Sequence, residues 1–300
     1  MSEKANILLV DDEERVLRSL EMLFRHRFKV YTTTDGNEAV DICRRDRVHV
    51  VVSDQRMPRV TGVEVLRRVR EVSPNTMRLL LTGYSDLQAI VDSVNEGEIF
   101  RYLSKPWSAK EITNIVNQAA DIALSLEHEN GGTASGTVPG ILVIDEDPTV
   151  VEMVKAICGK EREVTWSVDL DEAFETLAAN DIAIVVCDIR LRGRDISAAV
   201  KALKESNPMV LTIVQTQLQD VDTLRSLINH GQIYRFLPKP ARRGLLEMSL
   251  DAASRRHVAM KAVPALTNRY QVEKSDQAPV AALSTRLQGF LDRMRQGKPL

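Results

Sequence analysis

The chain is poor in cysteine, has no long apolar run and carries almost no net charge, and each shortage removes a class of protein. Three cysteines in 300 residues (Cys43, Cys158 and Cys187) are too few for a disulfide framework and read as reduced structural thiols of a cytoplasmic protein. No CxxC pair or histidine cluster accompanies them, which excludes a structural zinc site. No stretch approaches the ~18 consecutive apolar residues of a membrane span. The apolar run Ile7–Val10 meets Asp11, Asp12, Glu13 and Glu14 at once, so the N-terminus does not read as a secretory signal. Lys plus Arg number 40 against 42 Asp plus Glu, a net charge of -2, which argues against a surface built to coat nucleic acid. What is present is globular: 44% apolar and 27% charged residues, in a length that suits two domains of ~150 residues.

The chain repeats itself. Ile7-Leu8-Leu9-Val10-Asp11-Asp12 aligns with Ile141-Leu142-Val143-Ile144-Asp145-Glu146, and Val52-Ser53-Asp54 with Val186-Cys187-Asp188. Leu81-Thr82 aligns with Gln215-Thr216, and the run Asn95–Pro106 with Asn229–Pro240. One offset, 134 residues, serves all four blocks. That period is too long for a solenoid and implies two copies of a whole domain.

Within the first copy, residues 6–10, 28–32, 48–52, 77–81 and 99–103 are short and apolar and predict strands. Between them lie amphipathic stretches: Val16, Leu17, Leu20, Leu23 and Phe24 mark one helix face, Leu87, Ile90, Val91 and Val94 another, and Ile112, Ile115, Val116, Ala119 and Leu126 a third. The alternation predicts an α/β fold, a doubly wound five-stranded parallel sheet in each copy. The first domain is expected over 1–128 and the second over 140–262. The Gly- and Ser-rich stretch 129–139 forms a linker, and a tail over 263–300 carries an amphipathic helix (Val280, Leu283, Leu287, Phe290, Leu291, Met294).

A doubly wound sheet brings its strand ends to one rim. Asp11, Asp12, Asp54, Thr82 and Lys105 all fall there. Three carboxylates repel one another unless a cation lies among them, and an oxygen-only cluster suits magnesium. A hydroxyl and a lysine facing the same place supply what a phosphoryl group needs. Singly, each residue has a duller reading as a helix cap or turn residue; jointly they describe a carboxylate that carries a phosphoryl group.

Ile7–Glu13, Ser53-Asp54-Gln55-Arg56-Met57-Pro58, Gly62, Leu81-Thr82-Gly83-Tyr84 and Tyr102-Leu103-Ser104-Lys105-Pro106-Trp107 together resemble the receiver domain of two-component response regulators. The resemblance covers 5–128 well and 140–262 less well. It implies a flavodoxin-like fold and a switch rather than a dedicated enzyme. Asp54 would take a phosphoryl group from the phosphohistidine of a sensor histidine kinase or phosphotransfer protein. Asp12, Asp54 and the Arg56 backbone carbonyl would hold Mg2+ directly, with Asp11 acting partly through water. Thr82 and Lys105 would contact the phosphoryl oxygens, and Tyr102 would be the aromatic switch.

The second copy keeps Asp145, Asp188, Thr216 and Lys239, with Phe236 at the place of Tyr102. It departs at Glu146, which adds a methylene to the metal site, at Arg192 and Ile196 in place of Pro58 and Gly62, and at Gln217 in place of Gly83. Either Asp188 is then a second, poorly phosphorylated acceptor, or the second domain serves mainly for docking and dimerisation. Asp145-Glu146-Asp147-Pro148-Thr149 also spells the D-x-D-x-T of haloacid-dehalogenase-type phosphatases, with Asp145 as nucleophile and Asp147 as general acid, but the first copy lacks that motif. The tail is too short for a helix-turn-helix, so no direct nucleic-acid binding is expected. The output reads as homodimerisation or engagement of a separate effector protein. The alternative is that this is the receiver portion of a longer regulator.

Overall fold

The computed structural model describes residues 4–83, 91, 95, 98–126, 139–160, 162–217, 221–229 and 233–270. The chain divides into two compact units. The first contains β1 (Asn6–Val10), α1 (Glu14–Phe24), β2 (Lys29–Thr33), α2 (Gly36–Arg45), β3 (Val50–Asp54), α3 (Gly62–Val72), β4 (Met77–Thr82), β5 (Arg101–Ser104) and α4 (Ala109–Ser125). Its strands form one parallel sheet in the order β2-β1-β3-β4-β5. The expected fold class is the observed one. Strands β2, β3 and β5 begin one or two residues later than their apolar runs, although the leading residues already bond to neighbouring strands: His49 N–H donates to the Asn6 carbonyl at 2.9 Å, and the His49 ring nitrogen accepts the Asn6 N–H at 2.8 Å. Of the helix expected around Leu87–Val94, only Val91 lies within the described residues, and it is helical and buried.

Strand alternation sorts the core. Ile7 and Leu9, Val50 and Val52, Leu79 and Leu81, and Leu103 pack with Leu17, Leu20 and Phe24 of α1 and with Ile112, Val116 and Ala119 of α4. Each fully buried Leu or Ile contributes about 1.5–3 kcal/mol. The opposite face is covered by α2 and α3, through Val40, Leu66 and Val69. The helices start where side chains can cap them: Asp35 accepts from Asn37 N–H, Thr61 from Glu64 N–H, and Ser108 from Glu111 N–H, each cap being worth about 1 kcal/mol. Helix α1 has no side-chain cap; the nearby carboxylate, Asp11, instead accepts from Glu13 N–H at 2.9 Å.

The second unit contains β6 (Gly140–Ile144), α5 (Pro148–Cys158), β7 (Val164–Ser167), α6 (Leu170–Ala179), β8 (Ile182–Cys187), β9 (Arg190–Leu191), β10 (Arg194–Asp195), α7 (Ser197–Ser206), β11 (Leu211–Thr216), α8 (Val221–Asn229), β12 (Arg235–Pro238) and α9 (Arg243–Ala262). Its main sheet runs β7-β6-β8-β11-β12, again parallel. A 3-10 turn, Pro264–Tyr270, follows α9 and buries Ala265, Leu266, Arg269 and Tyr270. The amphipathic stripe from Val280 to Met294 lies outside the described residues, as does the linker apart from Pro139.

Two features separate the copies. The loop after Asp188 is an antiparallel hairpin, β9 with β10. Its two turn residues, Arg192 and Gly193, both have positive φ (51° and 72°), the signature of a type I′ turn. The second is an exchange of buried cations. In the first unit Arg78 of β4 donates to the carbonyls of Thr76 (2.7 Å) and Pro74 (3.2 Å). In the second unit the equivalent carbonyls belong to Val210 and Pro208, and Lys204 of α7 donates to both, while Thr212 stands where Arg78 does. The cation has moved from strand to helix, yet it satisfies the same two acceptors.

Candidate functional site: paired carboxylates bridged by lysine

Asp11 follows β1 directly, Asp54 is the last residue of β3, Thr82 is the last of β4, and Lys105 follows β5. Asp11 and Asp54 continue the alternation of Leu9 and Val52, so both carboxyls emerge on the α1 and α4 side of the rim. Lys105 Nζ lies 2.5 Å from Asp54 Oδ1 and 3.0 Å from Asp11 Oδ2. The second Asp54 oxygen accepts from Arg56 N–H at 2.8 Å. Asp11, Asp54, Thr82 and Tyr102 are buried, whereas Asp12 is exposed. Burial pulls the Lys105 ammonium towards neutrality, but its hydrogen bonds to Asp54 and Asp11 and their charge outweigh that, so its pKa stands above the ordinary lysine value. Gly62 permits the close approach of α3 to the strand end: a Cβ there would lie 2.1 Å from the Asp54 carbonyl oxygen.

The second unit repeats this arrangement. Lys239 Nζ lies 2.7 Å from Asp145 Oδ2 and 2.7 Å from Asp188 Oδ2, and Asp188 Oδ1 accepts from Arg190 N–H at 3.0 Å. Asp145, Thr216 and Phe236 are buried, and Glu146 is exposed. Lys239, like Lys105, is drawn down by burial and raised further by its two carboxylates. Both Lys-Pro bonds, Lys105-Pro106 and Lys239-Pro240, are cis. Ile196 is accommodated at the Gly62 position beside the rebuilt hairpin, and the backbone bond survives: Gly62 N–H to Gln55 carbonyl is 3.0 Å, and Ile196 N–H to Ile189 carbonyl is 2.7 Å. A Cβ on Gly83 would meet no atom within 4 Å, so the exposed Gln217 at the equivalent place meets no steric bar.

The profile described as the response regulator receiver domain matches residues 7–117 and again 141–251. The chain belongs to the response regulator receiver family. It carries two tandem receivers of two-component signalling, hereafter receiver 1 and receiver 2. The hydrogenase transcriptional regulatory protein HoxA of Cupriavidus necator is 40% identical over 122 residues, 40% of this chain and 25% of HoxA. Sporulation initiation phosphotransferase F of Bacillus subtilis is 29% identical over 119 residues, 39% of this chain and 94% of the relative. The chain thus spans about a quarter of the length of the HoxA proteins it matches. Among solved structures, the signal receiver domain of an HD domain-containing protein from Pseudomonas fluorescens is 34% identical, with a TM-score of 0.42, covering 43% of this chain and 96% of that one.

Receiver domains typically bind Mg2+ in their acidic pocket. The donors here, all oxygen and mostly anionic, suit that ion chemically. Among the described residues, however, no three acidic, histidine or cysteine side chains are grouped as metal ligands. Asp11 and Asp54 face the Lys105 ammonium instead, and Asp12 stands in solvent. The D-x-D-x-T reading meets a structural obstacle: Asp147 caps α5, accepting from Thr149 N–H (2.9 Å) and Thr149 Oγ1 (2.7 Å). Those bonds hold its carboxyl below the usual range, the opposite of what a general acid requires. The three thiols are free, and burial pushes Cys43 up to about 12 and raises Cys158 and Cys187 as well.

One contact at the second site escaped the sequence reading. Trp166 Nε1 donates to the Asp145 carbonyl at 2.8 Å, tying the end of β7 to the acidic rim. The 134-residue offset sets Trp166 against Thr32, and that mismatch was the only signal available.

Proposed function

We propose that the chain is a phosphorylation-controlled switch in which Asp54 is the principal phosphoacceptor. The bridge of Lys105 between Asp11 and Asp54, both buried at strand ends, is the observation that carries this reading. Lys105 Nζ, 2.5 Å from Asp54 Oδ1, sets a positive charge where the attacking carboxylate and the incoming phosphoryl group meet. In transfer, an Asp54 oxygen forms a bond to phosphorus while the N–P bond of a phosphohistidine breaks. The imidazole nitrogen keeps the electron pair and takes up a proton. Lys105 and the Thr82 hydroxyl then meet the phosphoryl oxygens, and Tyr102, buried beside β4, reports the change to the surface. Magnesium, held by Asp12, Asp54 and the Arg56 carbonyl with Asp11 acting through water, would supply charge neutralisation during transfer.

The phosphoryl source in this reading is a sensor histidine kinase or a phosphotransfer protein, in the cytoplasm. Asp145, Glu146, Asp188, Thr216, Lys239 and Phe236 form the weaker counterpart in receiver 2, whose main service is docking and dimerisation. Receiver 1 occupies 1–128, the linker 129–139, receiver 2 140–262 and the tail 263–300. Chemistry beyond self-catalysed gain and loss of the phosphoryl group is not proposed. The output is a homodimer or a complex with an effector protein, with the longer-regulator reading as the alternative.

The test is intact-mass spectrometry of the full chain after treatment with phosphoramidate and magnesium. Asp54→Asn, nearly isosteric, removes most of the incorporated phosphate while the fold persists. Undiminished incorporation in that variant refutes the assignment.

A further inference from the structure

Gln215 is one of few buried polar side chains at either rim with an unsatisfied donor. Its side chain is 2% exposed, and Nε2 has no hydrogen-bond partner among the described residues. A buried donor left unpaired is destabilising, and such groups are rare enough in native proteins to require a reason. The equivalent residue of receiver 1, Leu81, has no such problem: it is an apolar member of the core beside Leu9 and Val52.

Sheet register shows what Gln215 stands next to. In receiver 1, Leu81 of β4 pairs with Asp54 of β3. In receiver 2, Val214 of β11 pairs with Cys187 of β8, so the next pair along is Gln215 with Asp188. Paired residues of parallel strands point to the same face. The Gln215 side chain therefore lies on the same face of the sheet as that of Asp188, on the adjacent strand, the place where receiver 1 has only a methyl-ended side chain. Asp188 itself is engaged elsewhere, with one oxygen on Arg190 N–H and the other on Lys239.

We propose that Gln215 is a positioning residue of receiver 2, whose amide is reserved for the phosphorylated form of Asp188. The inference rests on the reading of Asp188 as a phosphoacceptor. Forming the O–P bond at Asp188 Oδ1 makes that oxygen the bridge of an acyl phosphate and draws Lys239 off Oδ2 towards the phosphoryl group, which leaves Oδ2, now the carbonyl oxygen, to accept from Gln215 Nε2. The donor is unsatisfied before transfer and satisfied after it, so the bond favours the phosphorylated state alone. Gln215 thereby offsets part of what Glu146 costs this site.

The experiment uses the full chain carrying Asp54→Asn, so that Asp188 is the acceptor that remains, with and without Gln215→Leu. Leucine is the residue receiver 1 already tolerates at this place. Beryllofluoride binding is followed by Trp166 fluorescence, phosphoryl occupancy by intact mass after phosphoramidate treatment, and stability by thermal unfolding. Gln215→Leu is expected to raise the melting temperature of receiver 2 and yet weaken beryllofluoride binding about tenfold, with occupancy falling in step. A residue with only a structural role would move stability without that loss. Equal or tighter binding in Gln215→Leu overturns the role of Gln215 and leaves Asp188 as an acceptor. No binding and no incorporation in the Asp54→Asn chain overturns both readings together.

Discussion

Replacing Lys105 by methionine removes the cation that lies between Asp11 and Asp54. The side chains of those two acids are 1% and 8% exposed, and that of Lys105 is 28% exposed. Breaking a buried pair by deleting one partner costs about 3–5 kcal/mol. Water reaches Lys105 over roughly a quarter of its surface, so about 2–4 kcal/mol is the expectation for receiver 1 without magnesium. The penalty is mostly repulsion between two carboxylates that have lost their counterion. Asp54→Asn should therefore relieve part of it in the Lys105→Met background. In the parent chain the same substitution should change stability by less than about 1 kcal/mol, because Lys105 keeps Asp11. The coupling between the two positions is then about 2 kcal/mol, within the range seen for residues in direct contact. Urea unfolding in excess chelator measures it, followed by Trp107, whose ring centre lies 5.8 Å from Lys105 Nζ, in a Trp166→Phe background. Magnesium should then stabilise Lys105→Met more than the parent, since the ion finds two anions unopposed; saturation at a hundred times Kd is worth about 2.7 kcal/mol. If Asp54→Asn shifts both backgrounds equally, the lysine does not neutralise the pair and the electrostatic reading of the site is wrong.

Two further outcomes are expected. Burial pushes Lys204 down to about 7 from its ordinary 10.5, so between those pH values the unfolded chain binds a proton that the folded chain has released, and receiver 2 should gain stability as pH rises from 7 to 10. At 1.36 kcal/mol per pH unit the ceiling is about 5 kcal/mol, reduced by the two carbonyls and the Tyr270 ring (5.0 Å from Nζ) that favour the charged form. Melts followed by Trp166 should show this slope flattened in Lys204→Met, and parallel slopes would dismiss it. For the homodimer, light scattering of the full chain should show association promoted by beryllofluoride, and a chain ending at Tyr270 should lose it. Monomers of both at every concentration would assign the Val280–Met294 stripe elsewhere.

The strands, the rim and its residues were legible because each depends on a short-range rule: apolar runs end in polar residues, and parallel strands end on one edge. The single offset of 134 then showed that those endings were no accident. What was not legible depends on contacts made across the fold. Arg78 reads as a stray charge in an apolar strand, and it is the carbonyls of Pro74 and Thr76, with the Glu98 carboxylate 3.7 Å away, that explain it. Lys204 looks like an ordinary helix-surface residue in the sequence, yet it is buried because the same two acceptors need a donor. Arg192 and Ile196 in place of Pro58 and Gly62 marked the loop at 190–195 as different, but its turn requires positive φ at Arg192, which no residue type at that position announces.

The two receivers differ most in their loops and least in the lysine-bridged carboxylates, and register accounts for it. Asp54 and Asp188 are placed by pairing that runs the length of β3 and β8, and Lys105 and Lys239 by the strands that end just before them. The loop after each acid is free to change provided its last residue still donates to the same carbonyl, as Gly62 N–H does to Gln55 and Ile196 N–H does to Ile189. Arg192, Gly193 and Ile196 are therefore weak grounds for calling receiver 2 inactive. A functional difference between the receivers has to arise from side chains at the rim itself. Glu146 stands there against Asp12, and Gln215 against Leu81. In the reading proposed above Glu146 bears on the metal and Gln215 on the phosphorylated carboxyl, so Gln215→Leu should lower phosphoryl occupancy of receiver 2 without changing its magnesium affinity.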